Sequence, residues 1–460
     1  MSHNELDRRE FLKVAGAGAG ALLTGCATAP GFLRARGSAN VVVVGAGAFG
    51  GWTALNLQRM GARVTLVDMF GPGNSRSTSG DETRGVRTSY GDRTHGELWM
   101  QWAHRAITRW KEWDEEYAKP LRMRLFFTTG DLIMRAEPEN FTNQNKVWWT
   151  KNGIPFEELS ADEVRKRWPA INVDGITVAQ YEPNAGVVRA RRACEAVAEV
   201  FRHEGGRIVI GRVVPPEPGK FDGHTVRLQD GTSLAADTFV FAVGPWLGKT
   251  FANMRNRMRT PLGTVVYFGP PPGDDRFTAP NMPSWNFPGV TGWPTLPVDS
   301  RGFRVRGGGG GGGAPQAQQP AGQPASQPAG QPAPQTAVSS APVTDPDLSV
   351  RWVDAERVAR SRQFVAQRFP ALQDAPVLET RACHYESTSS RNFIVARHPE
   401  MANIWIAGGG NAEGFKMGPV MGEYVAGRVL GRDSNPSVDQ QFRFPATEYD
   451  PNASNRRGDD

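Results

Sequence analysis

Three glycines, Gly45, Gly47 and Gly50, stand in the stretch Gly45-Ala46-Gly47-Ala48-Phe49-Gly50, directly behind the β-branched run Val41-Val42-Val43-Val44. This G-x-G-x-x-G spacing suits a pyrophosphate. The first glycine makes a tight turn, the second lets the backbone approach the anion, and the third packs a helix against the strand with its N-terminal amides facing the ligand. Asp68 follows the run Arg63-Val64-Thr65-Leu66-Val67, 18 residues after Gly50. A carboxylate there accepts hydrogen bonds from ribose hydroxyls and repels a 2′-phosphate. A second glycine-rich stretch runs from Gly408-Gly409-Gly410 through Asn411-Ala412-Glu413-Gly414-Phe415-Lys416 to Met417-Gly418-Pro419. Proline at a first helical position has no amide proton to leave unpaired, and the helix behind it points its positive end at whatever the loop cradles. Reduced flavin is negative on its pyrimidine edge, so this second loop favours FAD over NAD.

The elements that position these loops follow from the hydrophobic pattern. The valine run predicts a strand buried on both faces of a parallel sheet, the glycine loop a helix to about Met60, and residues 63–67 the partner strand. Further units are a helix near 190–203, strands at 207–210 and 239–244, and a strand at 404–407 leading to a helix from about Pro419. Between them, alternating patterns such as 125–132 and aromatics such as Trp285, Phe287 and Trp293 predict a β-rich body. The expected fold is α/β, α+β overall. A Rossmann-type FAD-binding domain built from 40–90, 185–250 and 381–432 is interlaced with a β-rich substrate domain built from 91–184, 251–306 and 345–380. Residues 307–344 begin with the glycines Gly307 to Gly313 and continue rich in Pro, Gln and Ala. They are too polar to form a core and are expected to be a disordered insert. Residues 433–460 are expected to be a tail.

The chain has 460 residues, with 39% hydrophobic and 22% charged. This suits two domains, or one split by insertions, and contains no apolar run of about 18 residues. The net charge of +6 comes from interspersed acids and bases, so nucleic-acid binding is not expected. At the N-terminus, Asp7-Arg8-Arg9-Glu10-Phe11-Leu12-Lys13 precedes a weakly apolar stretch from Val14 to Thr24, which reads as a twin-arginine export signal over residues 1–29. Leu23-Thr24-Gly25-Cys26 resembles a bacterial lipobox, with Cys26 as the lipidated residue. The alternative is cleavage after Ala29, which Pro30 in the next position disfavours. The expected location is the periplasm or cell envelope, with membrane contact only through a lipid on Cys26. Three cysteines make no disulfide framework, and no metal is expected.

Beyond the two glycine loops, the chain carries Gly80-Asp81-Glu82-Thr83-Arg84-Gly85-Val86-Arg87 with Tyr90-Gly91, Arg167-Trp168-Pro169, and Glu182-Pro183-Asn184-Ala185-Gly186-Val187. Gly244-Pro245-Trp246, Cys383 and Gly414-Phe415-Lys416 follow. In these features it resembles the D-amino-acid-oxidase-like flavoproteins, in particular the monomeric sarcosine oxidase and N-methyltryptophan oxidase branch, over about 40–432. The resemblance implies a flavin linked by a thioether to Cys383 and contacted by Ala48, Phe49, Val213, Gly244, Trp246, Gly410, Gly414 and Lys416. It implies Arg84 beside the flavin ring, and Arg87 with Lys416 clamping a substrate carboxylate. Guanidinium can bind two carboxylate oxygens, and ammonium adds a point charge. Cys194 is expected to serve packing only. The chain departs from the family in placing Arg304 at the position of the oxygen-activating lysine and Thr291 at that of an active-site tyrosine. The family histidine is missing, and His384, beside Cys383, is expected to be structural. The expected function is FAD-dependent oxidation of the C–N bond of a small secondary amine or amino acid. The alternatives are a dehydrogenase that passes electrons to a carrier, or a non-catalytic flavin-binding lipoprotein.

Overall fold

The computed structural model describes residues 38–298, 301–307 and 345–450. The export signal with Cys26, nearly all of the 307–344 insert and the chain after 450 lie outside the described residues. The valine run forms the strand Asn40–Val44, flanked in parallel by Arg63–Asp68 and Thr238–Phe241. Neighbours on both sides explain why an unbroken β-branched run is stable there. Arg207–Ile210 extends this six-stranded sheet at one end; Met401–Gly408 and then the antiparallel Ile394–His398 complete the other.

Helices Ala48–Arg59, Ala190–His203 and Gly418–Val429 cover one face, where Val41 and Val43 meet Leu55, Val197 and Val425. The other face buries Val42 and Val44 with Phe239, Phe241 and Leu247. The helix Gly418–Val429 lies so close to Ala48–Arg59 that a Cβ at Gly422 would sit 2.5 Å from the Trp52 backbone.

The β-rich body is an eight-stranded sheet running from Val377–His384 through Leu262–Phe268, Phe303–Gly307, Val290–Trp293, Ser284–Phe287, Asp131–Arg135 and Val178–Glu182 to Glu157–Leu159. Its core gathers around Trp285, which packs against Phe303, Phe364 and Phe369. A three-stranded sheet of Thr83–Val86, Gly186–Arg189 and Phe126–Thr128 accompanies it.

Several expected boundaries shift. The pattern at 125–132 is not one strand: Gly130, at φ +74°, breaks it, sending Phe126–Thr128 to the small sheet and Asp131–Arg135 to the large one. The strand at 239–244 is Thr238–Phe241, and Gly244–Trp246 forms a 3-10 turn. The boundary at 381 cuts a strand, because Val377–His384 is one edge of the large sheet and carries Cys383 into the site. Gly307 ends a strand instead of opening the insert. The segment after 433 is not all tail: the helix Pro436–Gln441 buries Val438 and is followed by Phe442, which packs on Trp102, Phe393 and Tyr424. Aromatic burial outweighs the polar composition there.

Candidate active site

The first glycine loop opens on a cleft of about 330 Å³ above the ends of the parallel strands. Gly45 donates its amide to Val67 O at 2.7 Å, and its φ of +103° suits only glycine. A Cβ at Gly50 would lie 1.8 Å from Gly45 O, so that glycine packs the helix against the turn and does not line the cleft. The helix Ala48–Arg59 has no side-chain cap, although Ser79 Oγ accepts from Ala48 N at 3.1 Å. Asp68 Oδ2 accepts from Ala46 N, and its Oδ1 from Phe70 N and Gly71 N, all at 2.8 Å. Burial raises its pKa, and these amides oppose the rise.

Gly47, Ala48, Phe49, Asp68, Arg84, Val213, Gly244, Trp246, Gly410 and Gly414 all line this cleft with Gly45. Asp347 gathers three cleft residues: it accepts from Trp246 Nε1 at 2.8 Å and from Arg212 Nη2 and Lys249 Nζ at 2.6 Å.

The C-terminal loop holds an unexpected partner. Glu386, buried, accepts from Gly409 N at 2.9 Å and Gly410 N at 3.0 Å, and burial raises its pKa. Asn411 and Ala412 follow in the left-handed region at φ +46° and +59°, backbone strain of the kind that collects at binding loops. Asn411 anchors the strained turn, accepting from Thr388 N and donating to Asn392 O.

A smaller cavity of about 70 Å³ adjoins the cleft and shares Thr78, Arg84, Tyr385, Ala412 and Phe415 with it. Arg84, Arg87, Arg304, Cys383 and Lys416 all line this second cavity, and Cys383 and Lys416 line it without lining the larger cleft. Arg84 and Arg87 come from and just after the strand Thr83–Val86, Arg304 from Phe303–Gly307, and Lys416 from the 3-10 turn Gly414–Met417. Thr291 and Trp293 line the same cavity.

Two carboxylates with no role in the sequence reading organise these cations. Asp81, 1% exposed, accepts from Arg304 Nη2 at 2.8 Å, from Tyr267 Oη at 3.1 Å and from Arg84. Burial pushes its pKa up, but Arg84, Arg304 and Arg381 overcome that and hold it well below the usual carboxylate range. Arg304 is therefore firmly seated, with its guanidinium carbon 4.2 Å from the centroid of the Trp293 ring. Although a glycine run follows it, the strand ladder and Asp81 fix Arg304 before the glycines begin.

Glu413 pairs with Lys416, whose Nζ also donates to the Tyr90 hydroxyl at 3.0 Å; Arg87 Nη2 lies 3.8 Å from Glu413 Oε1. The clamp is thus two cations with a carboxylate of their own. Arg87 is also tied by Nη1 to Ser89 O at 2.9 Å and Ser89 Oγ at 2.7 Å.

The family model described as "FAD dependent oxidoreductase" matches residues 40–428. The chain belongs to that family. It is an FAD-dependent oxidoreductase of mixed α/β fold. Relatives in this family include the monomeric sarcosine oxidase of Bacillus sp. (strain B-0618), 25% identical over 395 residues, covering 85% of this chain and 92% of that one. The N-methyl-L-tryptophan oxidase of Salmonella dublin is 22% identical over 405 residues, covering 86% and 96%. The crystal structure of L-proline dehydrogenase from P. horikoshii shares the fold, with a TM-score of 0.67 and 19% identity over 88% of this chain and 96% of that one.

The residues present fit FAD. The cradle at Gly45 and Gly50 has no room for a Cβ, the uncapped helix end offers amides to a pyrophosphate, and Asp68 lies where a ribose belongs.

Cys383 and His384 end the edge strand of the large sheet, Cys383 opposite Gly263. Burial and Asp81 raise the thiol pKa against Arg84, Arg381 and Arg351. His384 is buried with Nδ1 2.5 Å from Thr260 O, and its own carbonyl accepts from Thr78 Oγ1. Cys194 is buried inside the helix Ala190–His203. The sequence reading missed Asp81, Glu386 and Glu413 as site carboxylates. Asp81 and Glu413 stood within quoted motifs, and an acid three residues from a cation in each case was the only available signal.

Proposed function

We propose that this enzyme oxidises the C–N bond of a small secondary amine or amino acid, of the sarcosine kind, to an imine that hydrolyses. The observation that carries this reading is the position of Arg87 and Lys416 in the cavity that shares a wall with the FAD cleft. The names of the relatives, a sarcosine oxidase and an N-methyl-L-tryptophan oxidase, support it. FAD, when bound, supplies the acceptor for two electrons and the hydride equivalent. Arg87 and Lys416 bind the substrate carboxylate and so fix which carbon faces the shared wall. Trp293 and Phe415, lining the same cavity, limit the water around that carbon. Cys383 would hold the flavin by a thioether. The experiment that tests the reaction is anaerobic mixing with a panel of N-methyl and cyclic amino acids, followed by flavin absorbance. Bleaching by members of the panel is expected; no bleaching by any of them refutes the reading.

A second reading, a dehydrogenase that passes its electrons to a carrier, draws support from Arg304, which stands in place of the family's oxygen-activating lysine and is tied to Asp81. The paired arginines Arg8-Arg9 and the stretch ending in Cys26 support export to the cell envelope with a lipid anchor. Fractionation of cells carrying the wild type and Cys26→Ala tests that placement.

A further inference from the structure

Glu413 is held where a substrate carboxylate has to go. One of its oxygens pairs with Lys416 and lies 3.4 Å from the Tyr90 hydroxyl; the other is 3.8 Å from Arg87 Nη2; the residue is 6% exposed. The groups that face it are Lys416 on its own turn, Arg87 and Tyr90 from the segment after Thr83–Val86, and the buried Asp131 from the large sheet. Glu182 stands beside Asp131 on the neighbouring strand.

An amino acid reaches this site as a zwitterion, and its ammonium nitrogen has no free electron pair. The C–N bond can be oxidised only after that nitrogen loses a proton. Once the substrate carboxylate lies on Arg87 and Lys416, it shares those cations with Glu413, and two carboxylates crowded on one pair of cations favour a proton on one of them. The substrate's own ammonium group carries the proton that the oxidation requires it to lose.

We propose that Glu413 takes this proton. The substrate N–H bond breaks, its electron pair stays on nitrogen as the lone pair that C–N oxidation needs, and the proton passes to a carboxylate oxygen of Glu413. The site then holds Arg87 and Lys416 against the substrate carboxylate, with Glu413 neutral. This rests on the amine-oxidation reading and adds the group that readies the amine. It also assigns the substrate class: amino acids whose ammonium and carboxylate are close enough to reach Glu413 and the two cations together.

The test uses the flavin-loaded enzyme and methoxyacetate, an ether isostere of N-methylglycine that has the carboxylate and no ammonium. Binding is read from the flavin spectrum, and proton uptake from an indicator dye in weakly buffered solution near neutral pH. Wild-type enzyme is expected to take up about one proton for each methoxyacetate bound, because no ammonium supplies it. For an N-methyl amino acid that reduces the flavin, wild-type half-saturation is expected to be flat across neutral pH. In Glu413→Gln it should improve by about tenfold per pH unit, because only the deprotonated amine then binds productively.

Methoxyacetate that fails to bind, or that binds without proton uptake, overturns the proposal. So does a flat pH profile in a folded Glu413→Gln. If that variant does not fold, the wild-type proton count is repeated in Asp131→Asn and Glu182→Gln, where uptake is expected to persist; its loss in either overturns the proposal. Failure of every amine to reduce the flavin would instead refute the oxidation reading, a separate result from the methoxyacetate count.

Discussion

Arg304 donates from Nη2 to Asp81 at 2.8 Å, with both side chains 1% exposed. A buried pair of this kind is costly to break from one side, because the remaining charge keeps its burial and loses its partner. Asp81 also faces Arg84 and Arg381, so Asp81→Asn leaves three cations without their shared anion. We expect Asp81→Asn to lower stability by about 3–5 kcal/mol, read from denaturant unfolding. A loss within about 1 kcal/mol, the range of an exposed pair, would show that Asp81 does not organise the site.

The same pair bears on the electron acceptor. Negative charge develops on oxygen as it takes an electron, and a compact, unneutralised ammonium near the flavin stabilises it best. Arg304 spreads its charge over a plane and is tied to Asp81, which holds its Nη2 at 2.8 Å. Substrate-reduced enzyme is expected to reoxidise slowly in air and rapidly with an artificial acceptor, measured by stopped-flow. Fast reoxidation in air makes the enzyme an oxidase and removes the dehydrogenase reading.

Cys383 makes a prediction about flavin attachment. Acid or denaturant should leave the colour on wild-type chain and release it from Cys383→Ala. The thiolate is the nucleophile, and burial raises this thiol above its ordinary value despite Arg84 and Arg381. Attachment to apoprotein should therefore speed up with pH and show no plateau below the ordinary cysteine pKa of about 8.5. Complete release of flavin from the wild type refutes the thioether.

Lys416 tests the carboxylate clamp. Removing one charge-assisted contact costs about 1.5–3 kcal/mol, so Lys416→Met should weaken substrate half-saturation roughly ten- to a hundredfold. The flavin should still be reduced once substrate is bound. Unchanged half-saturation would mean that the carboxylate is held elsewhere.

Glu182 sets a pH dependence of stability. It is fully buried, accepts from Thr88 N, and burial pushes its pKa up from 4.5 to about 7. Between those values the folded chain holds a proton that the unfolded chain has released, so this group's contribution to stability falls as pH rises from 4.5 to about 7. Glu182→Gln keeps an acceptor for Thr88 and removes the titration. Relative to wild type it should gain up to about 3 kcal/mol across that window, seen in unfolding at the two ends. A stability difference that does not change with pH would refute the assignment.

The glycine loop, the valine strand, Asp68 and the helix Ala190–His203 were legible in the sequence because each is set by neighbours in the chain. A buried parallel strand needs a β-branched run, a pyrophosphate turn needs glycine at fixed spacing, and an amphipathic helix shows its period within a few turns. Gly244, Trp246, Gly410 and Gly414 reach the cleft for the same reason: they sit in short motifs that follow those strands.

Only the tertiary structure decided which charges face each other. Asp81 meets Arg304 across 223 residues, Tyr90 meets Lys416 across 326, and Asp347 meets Trp246 across 101. No local pattern encodes such distances, because an ion pair depends on where two separate strands end and not on what precedes either residue. The break at Gly130 and the burial of Phe442 were hidden likewise. An alternating pattern does not say which sheet it joins, and a polar tail does not show the aromatic pocket that receives Phe442.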